Sequence, residues 1–515
     1  MKIKLAAATV WLIPGWLLAA LPAGLTTNQW ARYLLPLPHE LAIADAVLVP
    51  ASGVVVRINP DAGDVMLDSA CRLAAALQGE PVTQAVAEAM FEIRLEACGS
   101  SDQGEAAARR AQQLRAVPNN AQAYLIEPET TNRLILSGLT ETGLYYAVQT
   151  MGQLLDGGRR LMARGFGSAL QAGAAPADVP ATGTTDMVLI PLARVRDWPD
   201  LEERGQLAVQ SVEQMKWMAH RKLNLVELPV AEDVSVTPDG RGHADIESRG
   251  WLEAGRLNAV RVVPYLPPLA ELFRMSEALR LFPELRARPA RTGGTPPAAV
   301  CFAQPRARAI LTDWLGDLAE IPGVTKLAVW LTEPAGDAAC ACKTCQQDGA
   351  ARAEVRAIVA GWRQVRERHP HLGLRIVLNS MDASEVNRLL AELPAEVEVG
   401  CAHTALTWSV TREPLVGPVW ERQAEQGRGV GVCLALEPEY DLPVPWMCPQ
   451  FVSFRARECV AKKLRSVTLL APYWGARQFQ IEGLAEWLWN ARGRDEREFA
   501  AAWATRQGVE DPEAF

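Results

Sequence analysis

The sequence predicts an α/β chain, a (β/α)8 barrel preceded by a small α+β domain, and three observations carry that prediction. Apolar, β-branched runs recur at Gly205–Gln210, Leu223–Val230, Ala259–Leu266, Lys326–Thr332, Leu374–Ser380, Val397–His403, Val430–Leu436 and Val467–Ala471. Helical patterns lie between several of them, at Val212–Arg221, Ala307–Glu320, Ala351–Arg368, Ala383–Glu392 and Phe451–Leu464, and strands alternating with helices give a parallel sheet closed or open. No Gly-rich phosphate turn follows the first run, which separates the closed barrel from the open dinucleotide-binding sheet.

The bulk properties narrow the classes. With 515 residues the chain can bury a large core, and 49% hydrophobic with 22% charged residues is an ordinary globular composition. A net charge of −8 argues against nucleic acid as a partner and leaves a small neutral or cationic ligand open. Sixteen tryptophans stand against seven tyrosines; indole rings fill cores and also stack on flat apolar faces, sugar rings among them.

In chain order, Lys2 and Lys4 precede an apolar stretch from Leu5 to Leu21, followed by Pro22-Ala23-Gly24. That pattern reads as a cleaved export signal over residues 1–24, with a retained membrane anchor as the alternative. A secreted or periplasmic chain is therefore expected. The α+β domain is placed at 28–160. Its elements are the short strand Val54–Ile58, a helix over Asp68–Leu77, strands at Ala121–Glu127 and Arg133–Ser137 joined by a polar turn, and a closing helix Thr140–Leu155. An Ala/Gly/Pro-rich linker covers 161–185, the barrel 186–480, and a helical segment packed on its outside 481–515.

The barrel register nominates the residues that could do chemistry, since such barrels place their sites at the C-terminal ends of the strands. Those ends offer Glu227, Tyr265, Glu333, Asn379, His403 with Trp408, then Glu437, Glu439 and Tyr440, and finally Tyr473 and Trp474. Carboxylates with amide and hydroxyl donors and aromatic platforms suit glycoside chemistry, which needs one carboxyl kept protonated and a group to stabilise an oxocarbenium ion.

Three stretches carry a resemblance. They are LLPLPHEL at Leu34–Leu41, AQAYLIEPETTNRLILSGLTETGLYYAVQTMGQLL at Ala121–Leu155, and RVRDWPDLEERG at Arg194–Gly205. These resemble the opening and close of the N-terminal domain, and the entry to the first barrel strand, of family 20 glycoside hydrolases, the β-N-acetylhexosaminidases. In that family the fourth strand ends in Asp-Glu. The Glu is the general acid, and the Asp orients the substrate's acetamido group for attack on the anomeric carbon. The matching pair here is Thr332-Glu333, so the resemblance implies Glu333 as general acid and leaves the Asp role unfilled. The family's strand-two His motif is absent from Asn224–Leu228, and Ala476 stands where a carboxylate follows Trp474. The resemblance implies a glycan substrate contacted by Arg204, Thr332, Asn379, His403, Trp408, Tyr440 and Trp474, and no required cofactor.

A second mechanism needs no Asp. Glu333 on strand four faces strand seven, whose Glu437 or Glu439 could act as nucleophile; carboxyls about 5–5.5 Å apart predict retention. The expected function is hydrolysis of a glycosidic bond in an amino-sugar or related glycan. The alternative is a carbohydrate-binding barrel that has lost its chemistry. Beyond Glu333, Cys340, Cys342 and Cys345 form C-x-C-x2-C, which suits a disulfide, a structural zinc or an iron–sulfur cluster, or thiols left free; His403 or Cys401 could supply a fourth zinc ligand.

Overall fold

The computed structural model describes residues 25–86, 89–98, 104–171, 187–246, 250–288, 299–333, 340–379, 383–402, 407, 411–435, 447–471 and 474–515, the side chains of 164–171, 379 and 474 excepted. The expected export signal, residues 1–24, lies outside them. Among the described residues no helix is long and apolar enough to cross a membrane.

The small domain is built on a sheet of β1 (Glu40–Pro50), β2 (Val54–Arg57), β3 (Phe91–Ala97), β4 (Tyr124–Thr130), β5 (Arg133–Gly138) and β6 (Met187–Asp197). Their spatial order is β1-β6-β4-β5-β3-β2. In β3, buried Phe91, Ile93 and Leu95 alternate with half-buried Glu92, Arg94 and Glu96, the two-residue period of a strand facing a core. Leu134, Ile135 and Leu136 of β5 are all buried because that central strand is covered on both faces. The helix Glu141–Gln171 packs on one, and Leu114 and Val117, at the end of the helix Glu105–Arg115 and just beyond it, close the other with Leu125.

Two boundaries differ from the sequence reading. The closing helix continues through Gln171 into the expected linker, and β6, assigned to the barrel, instead pairs antiparallel with β1 and β4. Its sequence MVLIPLARVRD has the apolar character of a barrel strand. Its sheet is chosen by partners more than sixty positions earlier in the chain, which local periodicity does not register.

The eight expected barrel strands are present as β7 (Glu203–Leu207) and β8 (Leu225–Pro229), then, after a side hairpin of β9 (Val234–Val236) and β10 (Gly242–Ala244), as β11 (Arg261–Leu266), β12 (Lys326–Trp330), β13 (Gly373–Asn379), β14 (Glu398–Ala402), β15 (Val430–Leu434) and β16 (Ser466–Leu470). All are parallel, and pairing of β16 with β7 closes the barrel. Gly205 is required where β7 meets β8: a Cβ there would lie 1.8 Å from the Leu225 carbonyl oxygen. Helices follow the strands at Val212–Ala219, Pro305–Glu320, Ala350–Arg366, Ala383–Leu390 and Pro449–Ala461. The C-terminal segment is less peripheral than expected, since the helix Gln478–Trp489 is buried from Phe479 to its end.

The barrel interior is layered. At its N-terminal end, Lys326 Nζ donates to Glu203 at 2.7 Å and to both oxygens of Glu398 at 2.8 Å. Arg375 donates to Glu227 at 2.5 Å, to Glu398 at 3.0 Å and to Glu203. Burial opposes ionisation of Glu203 and Glu398, but Arg375 and Lys326 outweigh it and hold both below the usual carboxylate range. For Glu227 burial wins and its carboxyl is raised. Glu227 is thus an interior ion-pair partner and not a residue of the mouth. Above this layer Leu207, Val263, Tyr265, Ala328, Trp330, Val377, Ala402 and Cys433 form an apolar plug.

A second polar hub joins the two domains beneath the barrel. Asp197, fully buried at the end of β6, accepts from the His39 backbone N–H at 3.0 Å, Tyr124 hydroxyl at 2.6 Å, Lys222 Nζ at 3.0 Å and Trp489 Nε1 at 2.8 Å. Its carboxyl is held well below the usual range: burial opposes this, and Lys222 and His39 overcome it.

Candidate active site

The C-terminal ends of eight parallel strands share one face of the barrel, and β12 delivers Thr332 and Glu333 to it. Buried Leu331 still donates its N–H to the Val377 carbonyl at 3.1 Å, and the chain then leaves the sheet. Glu333 is exposed two residues further on. Directly beneath, Tyr265 and Trp330 lie with ring centroids 5.7 Å apart, tilted by 36°, at the top of the plug.

Thr332 is turned into the wall. Its N–H and hydroxyl both donate to Glu354 Oε1, at 2.9 and 3.0 Å, and its oxygen accepts the Ala270 N–H at 3.2 Å. Its donor is committed to Glu354, so Thr332 could contact a ligand only through a remaining lone pair. Glu354, on the helix Ala350–Arg366, was not singled out in the sequence. A Glu on a helix four residues past its start carries no local sign of burial. Here burial pushes its carboxyl up to about 7 against the two hydrogen bonds from Thr332, which lower it.

The other candidates fall in three places. Glu437, Glu439, Tyr440, His403 and Trp408 lie outside the described residues; Asn379 ends β13 and Trp474 follows β16, with their side chains outside as well. Arg204 is a correction. It sits second in β7, at the N-terminal end of the barrel, and is fully buried. Its guanidinium donates to the carbonyls of Leu201, Glu202 at 3.0 Å and Lys222 at 2.8 Å, and to Gln122 Oε1 at 2.9 Å. These contacts close the seam between the domains and leave Arg204 at the opposite end of the barrel from the strand exits. Cys340, Cys342 and Cys345 do come together, and Cys301 joins them: their four sulfur atoms lie within 4.8 Å of one another. Cys401 is not in this group, and His403 lies outside the described residues. Nothing local marks Cys301 as the fourth member, because the chain returns to the cluster from 39 positions upstream.

A closed eight-stranded barrel with an exposed Glu333 at its fourth strand exit is thus docked on a six-stranded sheet domain. No protein-family profile and no curated protein matches the chain by sequence. Solved structures do. The exo β-N-acetylglucosaminidase of Vibrio harveyi, a family 20 enzyme solved with N-acetylglucosamine, is similar over 96% of this chain and 79% of its own, with TM-score 0.59 and 13% identity. The family 20 β-N-acetylhexosaminidase of Streptomyces coelicolor A3(2) matches 94% of this chain and 97% of its own at TM-score 0.57 and 16% identity. A family 138 enzyme targeting pectin rhamnogalacturonan II covers 88% of this chain at TM-score 0.54 and 13% identity. The likeness is one of fold, and it extends over both domains.

Proposed function

We infer that the chain hydrolyses a glycosidic bond of an amino-sugar or related glycan, with Glu333 protonating the leaving-group oxygen. The observation that carries this is the contrast among carboxylates of the barrel. Glu203, Glu227 and Glu398 are buried and bound to Arg375, whereas Glu333 is exposed at the mouth. The fold likeness supports the reading. Glu437 or Glu439, following β15, is the proposed second carboxylate, and Asn379, His403, Trp408, Tyr440 and Trp474 are the proposed sugar contacts. An exported chain fits a glycan substrate.

One observation favours a second reading, a sugar-binding barrel without turnover. Thr332 replaces the Asp of the family 20 pattern, and a hydroxyl bonded to Glu354 cannot stabilise an oxazolinium ion. A panel of aryl glycosides, acetamido and non-acetamido, separates the two. Under the first reading at least one is cleaved, and Glu333→Gln lowers that rate by about 10²- to 10⁴-fold. If neither protein cleaves any member while both bind sugar, the second reading stands.

A further inference from the structure

We propose that Cys301, Cys340, Cys342 and Cys345 form a structural tetrathiolate zinc site that ties the loop after β12 to the segment between β11 and the helix Pro305–Glu320. The sulfur of Cys301 lies 3.7 Å from that of Cys342 and 3.9 Å from that of Cys345, and all four sulfurs are mutually within 4.8 Å. Four ligands at about 2.3 Å from one ion define a tetrahedron with edges of about 3.8 Å. Two disulfides would instead draw the sulfurs into separate pairs at about 2.05 Å, and all four cysteines are free. A polynuclear iron–sulfur cluster needs wider spacing than this cage offers.

The surroundings fit a metal as well. Cys301, Cys340 and Cys345 are buried, and the apolar groups packed with the cysteines are Ala270, Ala287, Ala299, Ala303, Ala350 and Ala353. Alanines alone bury little surface, so among the described residues this corner has no larger side-chain core to fix two long loops. Backbone N–H groups point at sulfur: Arg288 donates to Cys340 Sγ at 3.3 Å and Cys345 to Cys342 Sγ at 3.4 Å. Such donors stabilise thiolates and hold ligands in place. The backbone is already laid out for the join, with Ala341 donating to Arg288 at 2.9 Å and Cys301 to Leu285 at 2.8 Å. Binding would release up to four thiol protons to solvent with no redox change. The ion would anchor the far end of the segment that begins at Glu333.

The experiment uses the full chain, purified without added metal, and pairs elemental analysis with intact mass under denaturing conditions. About one zinc per chain with a fully reduced mass is expected. No metal and a mass lowered by two hydrogens per bridge overturns the site in favour of disulfides. Iron accompanied by inorganic sulfide overturns it in favour of a cluster, and no metal with four freely alkylated thiols overturns it outright. Competition with a chromogenic chelator then compares Cys301→Ser with Cys71→Ser, an exposed cysteine in the small domain. Cys301→Ser should bind zinc at least about tenfold more weakly, while Cys71→Ser should match the wild type. Equal affinity in both variants removes Cys301 from the site and the proposal with it. Should Cys301→Ser fail to fold, cobalt-loaded wild type decides: intense thiolate-to-cobalt charge transfer is expected, and its absence overturns the assignment.

Discussion

At the N-terminal end of the barrel Glu203 and Glu398 are buried against Arg375 and Lys326 and stay ionised. At the C-terminal end Glu354 is equally buried but is bound by the N–H and hydroxyl of Thr332, and its carboxyl is pushed up to about 7. Glu333, the residue after Thr332, is exposed. In the interior the same functional group thus appears as a paired charge and as a near-neutral acid, and the partner supplied by the fold decides which, while Glu333 differs in being exposed. The plug around Tyr265 and Trp330 keeps the layers apart, so a change at one end should leave the other intact.

The largest test of that separation is Arg375→Met. It leaves Glu203, Glu227 and Glu398 with Lys326 inside the barrel and with Arg261 and Arg465 at its rim, and chemical denaturation should register a loss of about 3–5 kcal/mol. A loss below about 1 kcal/mol would show that the layer is solvated and the comparison misdrawn. At the mouth, Glu333→Gln should leave the unfolding midpoint within about 0.5 kcal/mol of wild type, as an exposed site allows, while removing most turnover. If stability falls instead, Glu333 belongs with the structural carboxylates.

The next test is pH. Glu354 titrates near 7 in the folded chain against an ordinary 4.5, so between those values the folded state holds a proton that the unfolded state has released. Stability should therefore decline as pH rises from 4.5 to 7, by about 3 kcal/mol at most. Glu354→Gln, which keeps the acceptor oxygen, should flatten that window. His39 acts in a higher one. Burial opposes its charge, but the carboxylates of Asp197 and Asp200 prevail and raise it from 6.5 to about 9. Its contribution, about 2–3 kcal/mol, should be complete below pH 6.5 and fade as pH rises through 9. His39→Gln should remove that slope and leave the Glu354 window unchanged; movement of both would mean that the ends of the barrel are coupled.

The barrel was legible because each strand announces itself locally, as β12 does with its apolar run delivering Thr332-Glu333. What local pattern could not supply was partnership. The stretch RVRDWPDLEERG carried the resemblance, yet its Asp197 and Arg204 serve the domain seam, because polar residues beside a strand read alike whether they face a ligand or another domain. Cys301 was invisible for the same reason: nothing nearby signals that a loop will return to it. Glu354 reads as a solvated helix residue until the exit of β12 is laid over it. The nucleophile candidates Glu437 and Glu439 remain sequence readings.

The seam around Asp197 also has a consequence for how the chain is made. Leu37 donates its N–H to Glu486 at 3.0 Å, Arg494 donates to the Leu34 carbonyl at 3.1 Å, and Trp489 reaches Asp197. Segments separated by about 450 positions must meet before the hydrogen bonding of Leu34 and Leu37 is complete. During synthesis at about 5–20 residues per second, Leu34 and Leu37 would wait about 20 to 90 seconds for those partners to emerge. Ribosome-arrested chains ending before Gln478 should accordingly leave that N-terminal stretch open to protease, and chains extended past Arg494 should protect it.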